Sequence, residues 1–115
     1  MLLDGEKIPL KSLSNVTIFK TAHFGGDMSY GIEIVQDDGK LSVAWLDGMS
    51  RMRLATLMPS LFTGTVLDKK EAHYRTCCEF EIQTEDKVIV ETDGENIGTP
   101  PVKYTILPKA LQVII

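Results

Sequence analysis

Thr92-Asp93-Gly94-Glu95 puts an ionisable carboxylate at the end of a turn, between the apolar run Val88-Ile89-Val90 and the closing stretch Gly98 to Ile115. Asp-Gly is the pair that a two-residue hairpin prefers, because both central positions want positive φ and glycine adopts it without steric cost. Glu95 is therefore expected on a strand end, with a fixed direction. Read from its own residues, a glutamate in such a turn is a solvated side chain, and a chemical role for it has to come from the motif around it. The other reactive side chains lack a catalytic arrangement. His23 and His73 lie far apart in sequence, with neither a Cys-His pair nor a Gly-x-Ser-x-Gly motif to make a nucleophile. Cys77 and Cys78 are adjacent and would point to opposite faces of a strand, so two reduced thiols are expected. Gly25-Gly26 is not followed by helix signals and does not read as a phosphate cradle.

The elements that must position Glu95 are strands punctuated by turns. Asp4-Gly5, Asp38-Gly39, Asp47-Gly48 and Asp93-Gly94 all follow runs that can be extended, and that recurrence is an all-β signature. Alternation supports it: Tyr74, Thr76, Cys78, Phe80 and Ile82 should share one face, with Arg75, Cys77, Glu79, Glu81 and Gln83 on the other. Leu41, Val43 and Trp45 repeat the pattern, as do Val102, Tyr104 and Ile106, then Leu111, Val113 and Ile115. Short strands with one apolar face must stack to hide it, so the expected fold is mainly β, an antiparallel two-sheet β-sandwich. One segment breaks the rhythm. From about residue 50 to 62, Leu54, Leu57, Met58, Leu61 and Phe62 fall at helical spacing opposite Arg53, Thr56 and Ser60, which predicts one amphipathic helix. Ser50 should cap its start, Gly64 should end it, and Pro59 should kink or shorten the last turn. The stripe is aliphatic, without Trp or a lysine-rich flank, so the expectation is a helix that covers the end of the sandwich with it, a membrane-contact element being the alternative.

At 115 residues the chain suits one domain with a single core. With 24% charged and 43% hydrophobic residues it reads as an ordinary soluble domain, without a spanning segment or signal peptide, and a cytoplasmic protein is expected. A net charge of −4, with twelve Lys and Arg spread along the chain, argues against nucleic acid.

Four motifs in order carry a family resemblance: Phe24-Gly25-Gly26-Asp27-Met28; Asp37-Asp38-Gly39-Lys40-Leu41-Ser42-Val43; the helix ending in Phe62-Thr63-Gly64; and Asp93-Gly94-Glu95 followed by Gly98-Thr99-Pro100-Pro101-Val102 and Ile106-Leu107-Pro108-Lys109-Ala110-Leu111. Over roughly residues 15 to 115 this series resembles the C-terminal part of the diacylglycerol kinase-like lipid kinases, which include bacterial lipid kinases and the sphingosine and ceramide kinases. The third glycine of the first motif is Asp27 here, Thr21-Ala22-His23 replaces a usual Asn-Gly, and Ile32 and Ile34 stand where the family usually has Pro and Ala.

The resemblance implies the second, C-terminal domain of a two-domain lipid kinase, and the N-terminal ATP-binding domain has no counterpart in this chain. The implied parent reaction moves the γ-phosphoryl group of ATP, with Mg²⁺, to a lipid hydroxyl such as that of diacylglycerol, in transient contact with a membrane surface. Glu95 is implied as the catalytic base. Asp38, with the backbone carbonyls of Val35 and Lys40, is implied as the protein side of a Mg²⁺ site, although Asp-Asp-Gly is equally what an ordinary turn wants. The alternative from a different class is a stand-alone β-sandwich module that binds a lipid or a peptide, in which Glu95 is only a solvated turn residue.

Overall fold

In the computed structural model, which describes residues 1–21, 23–24, 27–34, 38–84, 89–92 and 95–106, the chain forms eleven short strands and one helix. In order these are β1 (Leu2–Leu3), β2 (Glu6–Lys7), β3 (Leu13–Phe19), β4 (His23–Phe24), β5 (Met28–Ser29), β6 (Leu41–Asp47), α1 (Arg51–Thr63), β7 (Ala72–Cys77), β8 (Glu79–Ile82), β9 (Val90–Thr92), β10 (Glu95–Gly98) and β11 (Val102–Thr105). A 3-10 turn, Val66–Asp68, follows the helix. The strands build one sheet in the order β11-β8-β1-β2, a second in the order β3-β6-β7, and the hairpins β4-β5 and β9-β10. Every pairing is antiparallel. Val35, Gln36, Asp37, Gly25, Gly26, Asp93, Gly94 and the expected last strand at Leu111, Val113 and Ile115 lie outside the described residues. The mainly β, sandwich-like architecture with one helix is the one the sequence leads to.

Strand β6 is the centre of the molecule, and it differs from the one-faced strand expected there. Val43 and Trp45 point into the space between the two sheets, where they meet Leu3, Cys77 and Phe80. Ala44 and Leu46, on the opposite face, pack with Tyr30 and Val66 beneath Leu54 and Leu61 of the helix. Both faces of β6 are thus covered, and full burial of a side chain such as Val43 or Phe80 is worth about 1.5–3 kcal/mol. The backbone of β6 is satisfied by β3 on one edge and β7 on the other, in register from Phe19↔Ser42 to Val16↔Trp45 and from Leu41↔Cys77 to Leu46↔Ala72. Asp47 ends the strand and leads into the helix, not into another strand. Its carboxylate accepts hydrogen bonds from the backbone N–H groups of Lys11 (2.9 Å) and Ser12 (2.6 Å), tying the N-terminal segment to the end of β6. Burial alone would raise the Asp47 pKa, but those backbone donors and that of Gly48 outweigh it and hold the carboxyl below its ordinary value.

The alternation expected through residues 74–82 breaks at Cys78. Cys77 and Phe80 are the buried residues, and Cys78 is exposed. The chain leaves one sheet after β7 and enters the other as β8, and the bend between them moves the inward face by one position. Asp4 fixes this corner: its Oδ1 accepts from the backbone N–H of both Cys78 and Glu79 at 2.8 Å. Asp4 and Gly5, with φ of 52° and 80°, are the two residues of the β1–β2 turn, so the first Asp-Gly pair is a hairpin turn as expected. Both thiols are free, and burial pushes the Cys77 thiol up to about 11.

The helix begins and ends where the sequence places it, with the Ser50 side chain accepting from the Arg53 N–H and Gly64 in the left-handed conformation at φ 70°. It runs through Pro59 to Thr63 because the missing proline N–H falls on the exposed side, where water can take the freed carbonyl of Ala55. The buried face, however, is turned from the expected one. Leu57 and Ser60 are buried and Leu54 and Leu61 half-buried, whereas Met58 and Phe62 face solvent. Ser60 tolerates burial because its hydroxyl donates to the Leu57 carbonyl. Among the described residues no helix is long and apolar enough to cross a membrane.

The end of the helix is locked to the segment that follows β5 at a backbone contact. Gly31, at φ 73°, lies against Gly64 so closely that a Cβ on Gly31 would stand 2.0 Å from the Gly64 carbonyl oxygen. Gly31→Ala should therefore lose about 3 kcal/mol or more in urea unfolding, since neither backbone can yield. Gly5→Ala has open space at a similar φ of 80°, so only the left-handed strain of about 1–2 kcal/mol remains. Equal losses for the two variants would show that the Gly31–Gly64 approach does not constrain the fold.

Candidate functional site

Glu95 opens β10 directly opposite Thr92, the last residue of β9, so two residues separate the paired strand ends. That is the two-residue hairpin expected from Asp93-Gly94. The hairpin register runs Glu95↔Thr92 and Asn96↔Glu91, then slips at a bulge before Gly98↔Val90. Gly98 takes φ 128° there, and its N–H donates to the Asn96 side-chain carbonyl at 2.9 Å. Glu95 is exposed, and among the described residues its carboxylate has no hydrogen bond or ion pair. Strand pairing fixes the Glu95 backbone, while its unpaired carboxylate keeps its lone pairs open to a donor such as an approaching hydroxyl.

The hairpin is anchored by a contact that spacing did not reveal. The Thr92 hydroxyl and the Tyr104 phenol hydroxyl, on β9 and β11, are 2.8 Å apart. Tyr104 itself packs on Phe80, their ring centroids 6.4 Å apart. The core under β8 is thus linked through Tyr104 to the strand end that faces Glu95. Ile89 and Ile97 of this region are exposed, so the hairpin projects from the sandwich and does not pack into it.

Asp38 stands in a separate turn, before β6, and nothing among the described residues links it to Glu95. Its Oδ1 accepts from the backbone N–H of Lys40 at 2.9 Å, closing an Asx turn in which Gly39 has φ 71°. The Lys20 ammonium, from the end of β3, forms an ion pair with the same oxygen. Lys20, and then the Lys40 N–H, hold the Asp38 carboxyl below its ordinary value. Val35, the second implied ligand, lies outside the described residues. No group of three or more His, Cys, Asp or Glu capable of holding a metal occurs among the described residues. Asp38 thus fits a cation with one carboxylate, since a cation already sits on it, but a metal there would compete with Lys20 and draw its remaining oxygens from carbonyls and water. Lys20 is the residue that the sequence reading missed: it lies 18 positions from Asp38, and only the pairing of β3 with β6 brings them together.

A cleft of about 620 Å³ opens elsewhere, over the stacked rings of Trp45 and His73 and beside Lys11, Asp47 and Lys70. Neither Glu95 nor Asp38 lines it. His23 and His73 belong to different sheets, as their separation in sequence suggested.

Together these observations define a β-sandwich-like domain with a covering helix, which carries Glu95 exposed on a projecting hairpin. The chain belongs to the family described as the YegS C-terminal NAD kinase beta sandwich-like domain, whose model matches residues 1–115. No curated protein shows significant similarity to it. The match includes the first hairpin, and so extends beyond the stretch from residue 15 that the four motifs cover.

If Tyr104 orients the hairpin, Tyr104→Phe should leave the sandwich folded but loosen β9 and β10. Amide hydrogen exchange at Glu91, Asn96 and Gly98 should quicken by roughly tenfold, the equivalent of one lost hydrogen bond of about 1.4 kcal/mol, with the amides of β6 unchanged. Unchanged exchange in the hairpin would remove Tyr104 from that role.

Proposed function

We propose that this chain is the acceptor-side, C-terminal domain of an ATP-dependent lipid kinase, and that Glu95 is its catalytic base. The observation that carries the reading is membership of the YegS C-terminal domain family across residues 1–115, which supports a kinase C-terminal domain. The exposed, unpartnered carboxylate at the hairpin end is the chemistry that such a domain can contribute. In the reaction, the lipid hydroxyl oxygen forms a bond to the γ-phosphorus of ATP while the bond from that phosphorus to the bridging oxygen breaks, releasing ADP. Glu95 accepts the hydroxyl proton as the new bond forms. An alcohol is far too weak an acid to be ionised beforehand, so the assistance falls in the transition state and is worth roughly 10²–10⁴ in rate. Diacylglycerol is the proposed acceptor class, and the nucleotide is held mainly by an N-terminal domain beyond these residues.

In this reading a bound Mg²⁺ would supply neutralisation of phosphate charge. The residues that would hold it are Asp38 and the backbone carbonyls of Val35 and Lys40, in competition with the Lys20 ammonium. Lys20→Met should therefore make the melting temperature respond more strongly to added Mg²⁺ than it does in the unmodified protein, and Asp38→Asn should abolish the response. A Lys20→Met protein indifferent to Mg²⁺ would leave Asp38 as a turn residue alone.

The experiment that tests the catalytic reading is transfer of labelled phosphate from ATP to a panel of lipid alcohols by the full-length protein. Glu95→Gln should lower kcat by about a hundredfold or more while nucleotide affinity and melting temperature stay nearly unchanged, because the change removes a base without removing bulk. Turnover close to that of the unmodified protein in Glu95→Gln would remove Glu95 from the mechanism. Failure of every lipid to accept phosphate would favour the stand-alone binding module.

A further inference from the structure

Helix α1 carries two apolar stripes. Leu54, Leu57 and Leu61 face the protein. At about 100° per residue, Met52, Ala55, Met58, Pro59 and Phe62 form a second stripe roughly 120° wide, and every one of them is exposed. Met52 is 82% exposed, Met58 43% and Phe62 59%, so three of the five large apolar side chains most open to water in the described structure stand on this one face. Scattered exposed apolar residues need no explanation, but a continuous stripe of them marks a contact surface.

Charge identifies the kind of surface that complements it. The helix has no acidic residue in its thirteen positions, although the chain as a whole has a net charge of −4. Arg51 is exposed and lies within the second stripe, between the directions of Met58 and Phe62. Arg53 is turned away and held by Glu71, its Nε 3.0 Å from Oε1. Lys69 and Lys70 after the 3-10 turn are flanked by Asp68 and Glu71, and Lys70 lines the cleft over Trp45 and His73, so Arg51 is the basic side chain on this stripe. The same stripe on a second copy of the chain carries no anion to meet Arg51. An anionic bilayer offers both partners at once, an apolar interior for Met52, Met58 and Phe62 and negative headgroups for Arg51.

We infer that the outer stripe of α1 is a docking surface for an anionic lipid bilayer, with Met52, Met58 and Phe62 entering the headgroup–acyl boundary and Arg51 meeting the headgroups. The inference rests on the lipid-acceptor reading above and adds to it the element that meets the membrane. That element is separate from the Glu95 hairpin: they belong to different parts of the chain and share no hydrogen bond or ion pair among the described residues.

The test is co-sedimentation of the 115-residue chain with vesicles of phosphatidylcholine containing phosphatidylglycerol, in the absence of ATP. The chain should partition onto these vesicles, less onto pure phosphatidylcholine, and less again at high salt. Met58→Ser combined with Phe62→Ser should lower the partition coefficient roughly tenfold or more. The melting temperature should stay the same, because both side chains already face water. Arg51→Gln should remove part of the phosphatidylglycerol-dependent increase and leave the binding to pure phosphatidylcholine as it was. No partition onto the mixed vesicles, or equal partition by the double variant, would overturn the inference. So would sedimentation of the unmodified chain as a dimer that the double variant does not form, since the stripe would then be a self-interface. Vesicle binding needs no turnover, so failure here leaves the Glu95→Gln result standing, and failure of Glu95 as a base leaves the vesicle result standing.

Discussion

Burial of β6 on both faces is the constraint on which the rest of the structure depends. A strand of seven residues with five consecutive buried positions has to find apolar partners above and below and backbone partners on both edges. One requirement brings in the β8 sheet through Leu3 and Phe80, and the other brings in the helix through Leu54 and Leu61. The third recruits β3 and β7 as edge partners. Polar atoms caught in this layer are matched locally. Ser42 and Tyr74 pair their hydroxyls at 3.1 Å, and the Tyr30 hydroxyl donates to Thr17 at 2.9 Å. No buried side-chain nitrogen or oxygen among the described residues is left without a partner.

Closing two sheets around β6 needs a chain segment that belongs to both. The β7–β8 segment supplies it, and the bend at Cys78 would leave two backbone N–H groups facing outward if Asp4 did not accept both. Three carboxylates serve such joints: Asp4 at the corner, Asp47 at the end of β6, and Asp38 in the turn that enters it. Each uses its lone pairs to close backbone geometry. Glu95 differs from these three in that no hydrogen bond or ion pair among the described residues engages its oxygens, a state it shares with Asp27, Glu33, Asp68 and Glu91.

The division between a rigid centre and a projecting site follows from the same packing. The hairpin of β9 and β10 adds little apolar surface to the core and is held to it by Tyr104, a side chain with an apolar ring in the core and a hydroxyl at the surface. Such an arrangement lets the hairpin project into solvent without disturbing the layers beneath. The helix repeats this economy on the other side of β6, where one stripe closes the core and the other remains available.

The sequence by itself determined the features set by neighbours a few residues apart. The Asp-Gly turns follow from φ preferences, the helix limits from the Ser50 cap and Gly64, the two-residue hairpin before Glu95 from its turn pair, and the mainly β class from the recurrence of short alternating runs. Only the tertiary structure decided which face of α1 is buried, because two apolar stripes on one helix are equivalent until a sheet is laid against one of them. It also decided the face reversal at Cys78, which depends on a carboxylate 74 residues away, and the pairing of Asp38 with Lys20. Those outcomes come from side chains that meet only after β6 has gathered its neighbours, and no local pattern in the chain records such meetings.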